Sequence, residues 1–145
     1  MSLQDNYYRT ALQQIKRGNS KGSVSNAKIY FVLSVMDRME HGTLTENKIM
    51  FDEASCKCYE QQCNLHSDII TPFVKPYFHL SSSVFYHIKW KDGITIRSYA
   101  KTPSSKFIKE NAGYAYLDEA LWNLLKEKNK RDEFRQLIIR TYLSK

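Results

Sequence analysis

A chain of 145 residues with 42% hydrophobic and 13% aromatic side chains is long enough to bury a core without staples, and too rich in Tyr and Phe for a disordered segment. Its formal charge of +7 favours a polyanionic partner. The longest mainly apolar run, 29–36, falls far short of the roughly 20 residues that span a bilayer, and the first six residues carry no basic or apolar stretch of a secretory signal, so the expected location is cytoplasmic.

Tyr8, Ala11, Leu12 and Ile15 recur at helical spacing, which predicts a first helix over 5–17 with Arg9, Lys16 and Arg17 on its other face. Residues 18–23 are small and polar and read as a flexible loop. Ile29, Tyr30, Phe31, Val32, Leu33, Val35, Met36 and Met39 make 25–41 apolar almost all round, the pattern of a central buried helix, which Gly42 ends. A turn over 43–48 leads to a third helix, 51–65, and Pro72 and Pro76 are expected to stop further helix. The aromatic-rich segments 77–80 and 84–90 flank Ser81-Ser82-Ser83 and are predicted to pair as strands, with 94–98 as a third. Thr102-Pro103 predicts the start of a short helix over 102–111. The stripes Leu117, Ala120, Leu121, Leu124, Leu125 and Phe134, Leu137, Ile138, Thr141, Tyr142 predict two amphipathic closing helices. The expected class is α+β: mainly helical, with a small antiparallel sheet of about three strands between N-terminal and C-terminal helices, in a single domain over 1–145.

The charge is unevenly placed. Residues 6–36 hold Arg9, Lys16, Arg17, Lys21 and Lys28 with no acid, and residues 75–109 hold Lys75, Lys89, Lys91, Arg97, Lys101, Lys106 and Lys109 against Asp92 alone. These two stretches are expected to converge on one positive face, opposite the acidic 46–68 segment, as a footprint for phosphate-backbone binding. A rival expectation is a protein-interaction domain whose basic face docks an acidic partner.

Motifs for catalysis are missing. No phosphate-binding Gly loop, nucleophile elbow or H-E-x-x-H occurs. No histidine lies beyond His87 to complete a ββα-metal nuclease, and Glu46-Asn47-Lys48 has no acidic partner upstream on a strand. Cys56, Cys58, Cys63 and His66 lack the C-x2-C knuckle of zinc sites and are read as reduced helix thiols, so no metal and no cofactor is expected. His79 and His87, on predicted neighbouring strands, either contact phosphate or fill a half-polar sheet face. The chain is expected to bind without catalysing.

Three stretches carry a family resemblance. Ala27-Lys28-Ile29-Tyr30-Phe31-Val32-Leu33, continuing to His41-Gly42, resembles the buried helix in the N-terminal domain of bacterial HNH-type restriction endonucleases. Pro76-Tyr77-Phe78-His79-Leu80 with Phe85-Tyr86-His87-Ile88 resembles the Pro-aromatic pair that follows there, and Tyr114-Ala115-Tyr116-Leu117-Asp118, Leu121-Trp122-Asn123-Leu124-Leu125 and Arg135-Gln136-Leu137-Ile138 are similar to its closing helices. In that family the domain is a sulfur-binding domain that recognises phosphorothioate DNA. The resemblance implies a DNA-recognition module of a restriction or bacterial defence system that reads phosphorothioate or otherwise modified double-stranded DNA, an HNH nuclease domain or partner supplying cleavage. It implies a modification pocket at Pro76, Tyr77 and Phe78. The expected DNA-binding residues are Arg9, Lys16, Arg17, Lys21, Lys28, Lys75, His79, His87, Lys89 and Arg97. Ile29 stands where the family usually has Pro, and Lys75 where its sulfur binders have an aromatic.

Overall fold

The computed structural model describes residues 2–20, 22–94, 96 and 101–144. Ser2 caps the first helix, α1 (Leu3–Gln13), by accepting from the Asp5 amide at 3.0 Å. The helix ends at Gln13, short of the expected Arg17. Tyr142 explains this: its hydroxyl donates to the Leu12 carbonyl (2.6 Å) and accepts from the Ile15 amide (2.9 Å), closing the helix and sending Lys16 and Arg17 along a separate path. The following segment is a minimal hairpin, Asn19–Ser20 (β1) against Ser23–Val24 (β2), and not an open loop.

The central helix is present as expected. In α2 (Ala27–Glu40) every residue of 29–36 is buried, and Ser34 satisfies its hydroxyl on the Phe31 carbonyl (2.6 Å). Gly42 follows with φ +73°, a conformation open to glycine at little cost. Asp52 caps α3 (Glu53–Leu65) by accepting from the Ser55 amide (2.9 Å), and α3 packs along α2.

The segment expected as the first strand is a helix, α4 (Val74–His79), continued by a 3-10 turn at Leu80–Ser82. Pro76 does not stop it because it occupies the first turn, where backbone N–H groups have no intrahelical acceptor and a missing donor is harmless. The strand β3 (Tyr86–Trp90) therefore finds another partner. It pairs antiparallel with β4 (Ala112–Leu117), from Tyr86 opposite Leu117 to Trp90 opposite Ala112, with an irregularity between Lys89 and Trp90. Ile49 adds a single rung, exchanging hydrogen bonds of 2.7 and 2.8 Å with Ala115. Of the expected strand 94–98, residues 95, 97 and 98 lie outside the described residues.

Between the strands, α5 (Ser105–Asn111) starts under the cap of Ser104, whose hydroxyl accepts from the Phe107 amide (3.1 Å), three residues later than Thr102-Pro103 suggested. The closing helices α6 (Glu119–Lys126) and α7 (Lys128–Ile138) follow, and α7 runs on into a π turn at Ile139–Leu143. The class is α+β, helices dominating and the antiparallel pairs small. Its core is an aromatic cluster in which Phe31 meets Phe73, Tyr77 and Tyr86 at ring separations of 5.4 to 6.0 Å. No helix among the described residues is long and apolar enough to cross a membrane.

Candidate nucleic-acid interface

The early end of α1 and the start of α4 bring separate basic segments to one opening. Lys16 and Arg17, in the irregular segment after α1, meet Lys28 in the first turn of α2 and Lys75 in the first turn of α4 around an open cavity of about 380 Å³. Pro76 and Ala27 give it an apolar floor, and Thr71, His79, Ser82 and Thr102 supply polar edges. Among the described residues that line it, none is acidic.

Lys28 is the organising residue. Its ammonium donates to the Lys16 carbonyl (2.7 Å) and to the Ser82 hydroxyl (3.2 Å), so one side chain ties the exit of α1, the start of α2 and the turn after α4. Its burial, with the charge of Lys16 added, holds the ammonium below the ordinary lysine range. An anion at the cavity mouth would relieve that penalty. Arg17 is held by two neighbours: it donates to the Asn26 side chain (2.9 Å) and its guanidinium lies 5.1 Å from the Tyr142 ring centre. His79 closes the far edge, with Nε2 2.7 Å from the Thr102 hydroxyl.

Other expected contacts are elsewhere. Arg9 is ion-paired with Glu133 and lies near the Phe134 ring, so it joins α1 to α7 and does not reach the cavity. His87 sits 2.6 Å from Asp118, which also accepts from the Tyr8 hydroxyl (2.8 Å); through this carboxylate the sheet is fastened to α1. Lys89 is exposed on β3, opposite Tyr114, and is not part of the lining. Lys21 and Arg97 lie outside the described residues. In the expected modification pocket only Pro76 lines the cavity. Tyr77 and Phe78 are 0% exposed and belong to the core, because the helical turn at 74–79 rotates them inward where a strand would have alternated them. The basic stretch 75–109 also divides: Lys109 lines a separate groove with Asp52 and Glu53, facing the acidic helix it was expected to oppose.

Sequence reasoning missed Thr71, Ser82 and Thr102, small hydroxyl residues with no pattern to mark them before the chain is folded. The motif Glu46-Asn47-Lys48 has a structural use: Asn47 donates to the Leu117 carbonyl (2.7 Å) and accepts from its amide (2.9 Å), mimicking a strand partner. The thiols are free; burial and the nearby Glu60 push Cys56 up, and burial pushes Cys63 up to about 11. Among the described residues no three His, Cys, Asp or Glu side chains are placed to hold a metal ion. Compared with protein-family models and with curated proteins, the chain matches none.

Proposed function

We propose that this chain is a DNA-recognition module of a restriction or defence system, binding duplex DNA without cleaving it and leaving cleavage to an HNH nuclease domain or partner. The observation that carries this reading is the meeting of Lys16, Arg17, Lys28 and Lys75, from three separate elements, around one cavity with no acid among its described lining. Phosphates are the ligand such a ring suits, since each phosphate that a cation neutralises releases condensed counterions from the duplex. The apolar floor of Pro76 and Ala27 gives the ring a second property. A phosphorothioate sulfur is larger and less hydrated than the oxygen it replaces, and would lose less on entering such a floor. The module is thus read as favouring a modified backbone.

A titration of matched duplexes, with and without one phosphorothioate step, tests both levels. With about four phosphate contacts, affinity should fall with salt at a log-log slope near about −3.6, and Lys75→Ala should reduce that slope by about 1. Lys28→Ala should weaken modified and plain duplexes alike, whereas Pro76→Gly should remove only the preference for sulfur. No duplex binding at about 50 mM salt would overturn the DNA reading and favour an acidic protein partner. Equal affinity for the two duplexes in the wild type would remove sulfur as the ligand.

A further inference from the structure

Beside the basic cavity the protein holds apolar side chains in solvent. Val24 on β2 is 55% exposed, Ile69 67% and Ile70 44%. Val24 and Ile69 line one small cleft of about 60 Å³, and that cleft shares Ser25, Ala27 and Thr71 with the cavity, so the basic and apolar surfaces are continuous.

The exposure of the isoleucines is enforced by the chain around them. After α3, Ser67 takes φ +55°, a left-handed conformation that a residue with a Cβ adopts only against resistance. Asp68 then uses both carboxylate oxygens within the protein: Oδ2 accepts from the Tyr30 hydroxyl (2.6 Å) and Oδ1 from the Ile69 amide (2.8 Å). Tyr30 is itself fixed in α2 and stacks on His66 at 5.5 Å. A loop anchored in this way to the central helix does not fold its isoleucines back for lack of restraint. It presents them.

We propose that Ile69 and Ile70, with Val24 beside them, form an apolar wedge that enters the minor groove of the bound duplex and parts a base step, bending the DNA across the basic cavity. This rests on the duplex reading above and deepens it. Charge complementarity chooses the occupant. The wedge adjoins four phosphate-binding cations, so a base stack whose phosphates lie in the cavity brings its groove against the isoleucines. Aliphatic side chains have no donor or acceptor with which to read base edges, but they do replace the stacking that a kinked step loses. Two exposed aliphatic side chains on the segment between α3 and α4 also suit a groove about 6 Å wide, which a helix would not enter.

The test uses the full chain and a short duplex with 2-aminopurine at its centre and a fluorophore pair at its ends. Wild type should brighten 2-aminopurine several-fold and shorten the end-to-end distance on binding. The double variant Ile69→Ser with Ile70→Ser, at exposed positions that do not hold the core, should bind about tenfold more weakly, leave the probe dark and the duplex straight, and keep the wild-type salt slope. Steep salt-dependent binding by the wild type with a dark probe and a straight duplex overturns the wedge alone. No binding of any duplex overturns the DNA reading, and the wedge with it. Isoleucine-dependent binding to vesicles containing phosphatidylserine, without duplex bending, overturns the wedge in favour of an acidic membrane surface.

Discussion

Arg131 shows how one side chain stands for several contacts. It is buried on α7, donates to the Leu125 carbonyl (2.9 Å) and to Glu40 at the end of α2 (2.8 Å), and so ties the last turn of α6 to the central helix. Arg131→Ala leaves that carbonyl without its donor and a partly buried carboxylate with only Lys128 and Arg135, at 3.8 and 3.9 Å. Removing one partner of a buried pair is far more damaging than the pair's net value, though Glu40 keeps some contact with water. The expected loss is about 2 to 3 kcal/mol in urea-monitored unfolding. The same nonlocal pairing limits what sequence can say of single residues. Arg9 and His87 carry the right chemistry for phosphate, but their acids, Glu133 and Asp118, are 124 and 31 residues away. Only the fold reveals that they are engaged. Lys16, Arg17, Lys28 and Lys75 were legible as cations, and the cavity joining them was not.

At the scale of elements, all-round apolarity made α2 legible, and the stripes of α6 and α7 did the same for them. The segment 77–80, expected as a strand, lies in a helix and its 3-10 continuation, and the strand 112–117 falls where periodicity offered no element and the resemblance put Tyr114 onward with closing helices. Aromatic density imitated a strand at α4, and the residues Ala112 and Gly113 concealed β4, whose buried positions are Ala112, Ala115 and Leu117. Gly113 has a role that composition cannot show: a Cβ there would lie 3.1 Å from the Lys89 carbonyl oxygen, beside the irregularity where β3 and β4 shift register. Gly113→Val should therefore force the strands apart despite valine's preference for strands. A loss of about 1 to 2 kcal/mol is expected, with faster amide exchange confined to β3 and β4. Stability equal to wild type would mean that the carbonyl gives way freely.

For the whole molecule, the core that positions the cavity is itself polar at its tips. Tyr59 donates to the Thr71 carbonyl (2.7 Å), Tyr77 to that of Ile49 (2.8 Å), and Tyr86 to that of Tyr77, so three core phenols hold the connections between elements. Burial raises the ionisation of all three above the ordinary range and pushes the neighbouring Cys63 thiol to about 11. A group whose folded ionisation lies above its unfolded one contributes stability that is complete below the unfolded value and is lost as pH rises toward the folded one. Unfolded thiol and phenol ionise near about 8.5 and about 10. The urea midpoint should hold steady from neutral pH to about 8.5, decline gently beyond it, and fall steeply above about 10. Cys63→Ala should make the gentle decline shallower, Cys56 keeping part of it, while leaving the steep part, because the phenols remain. The last part of the phenolate absorbance should rise together with loss of helical circular dichroism, the exposed phenols contributing the earlier part. The full phenolate absorbance of all ten tyrosines reached while the helix persists would mean that the three core tyrosines titrate within the folded chain, and that they do not anchor the frame on which the cavity is built.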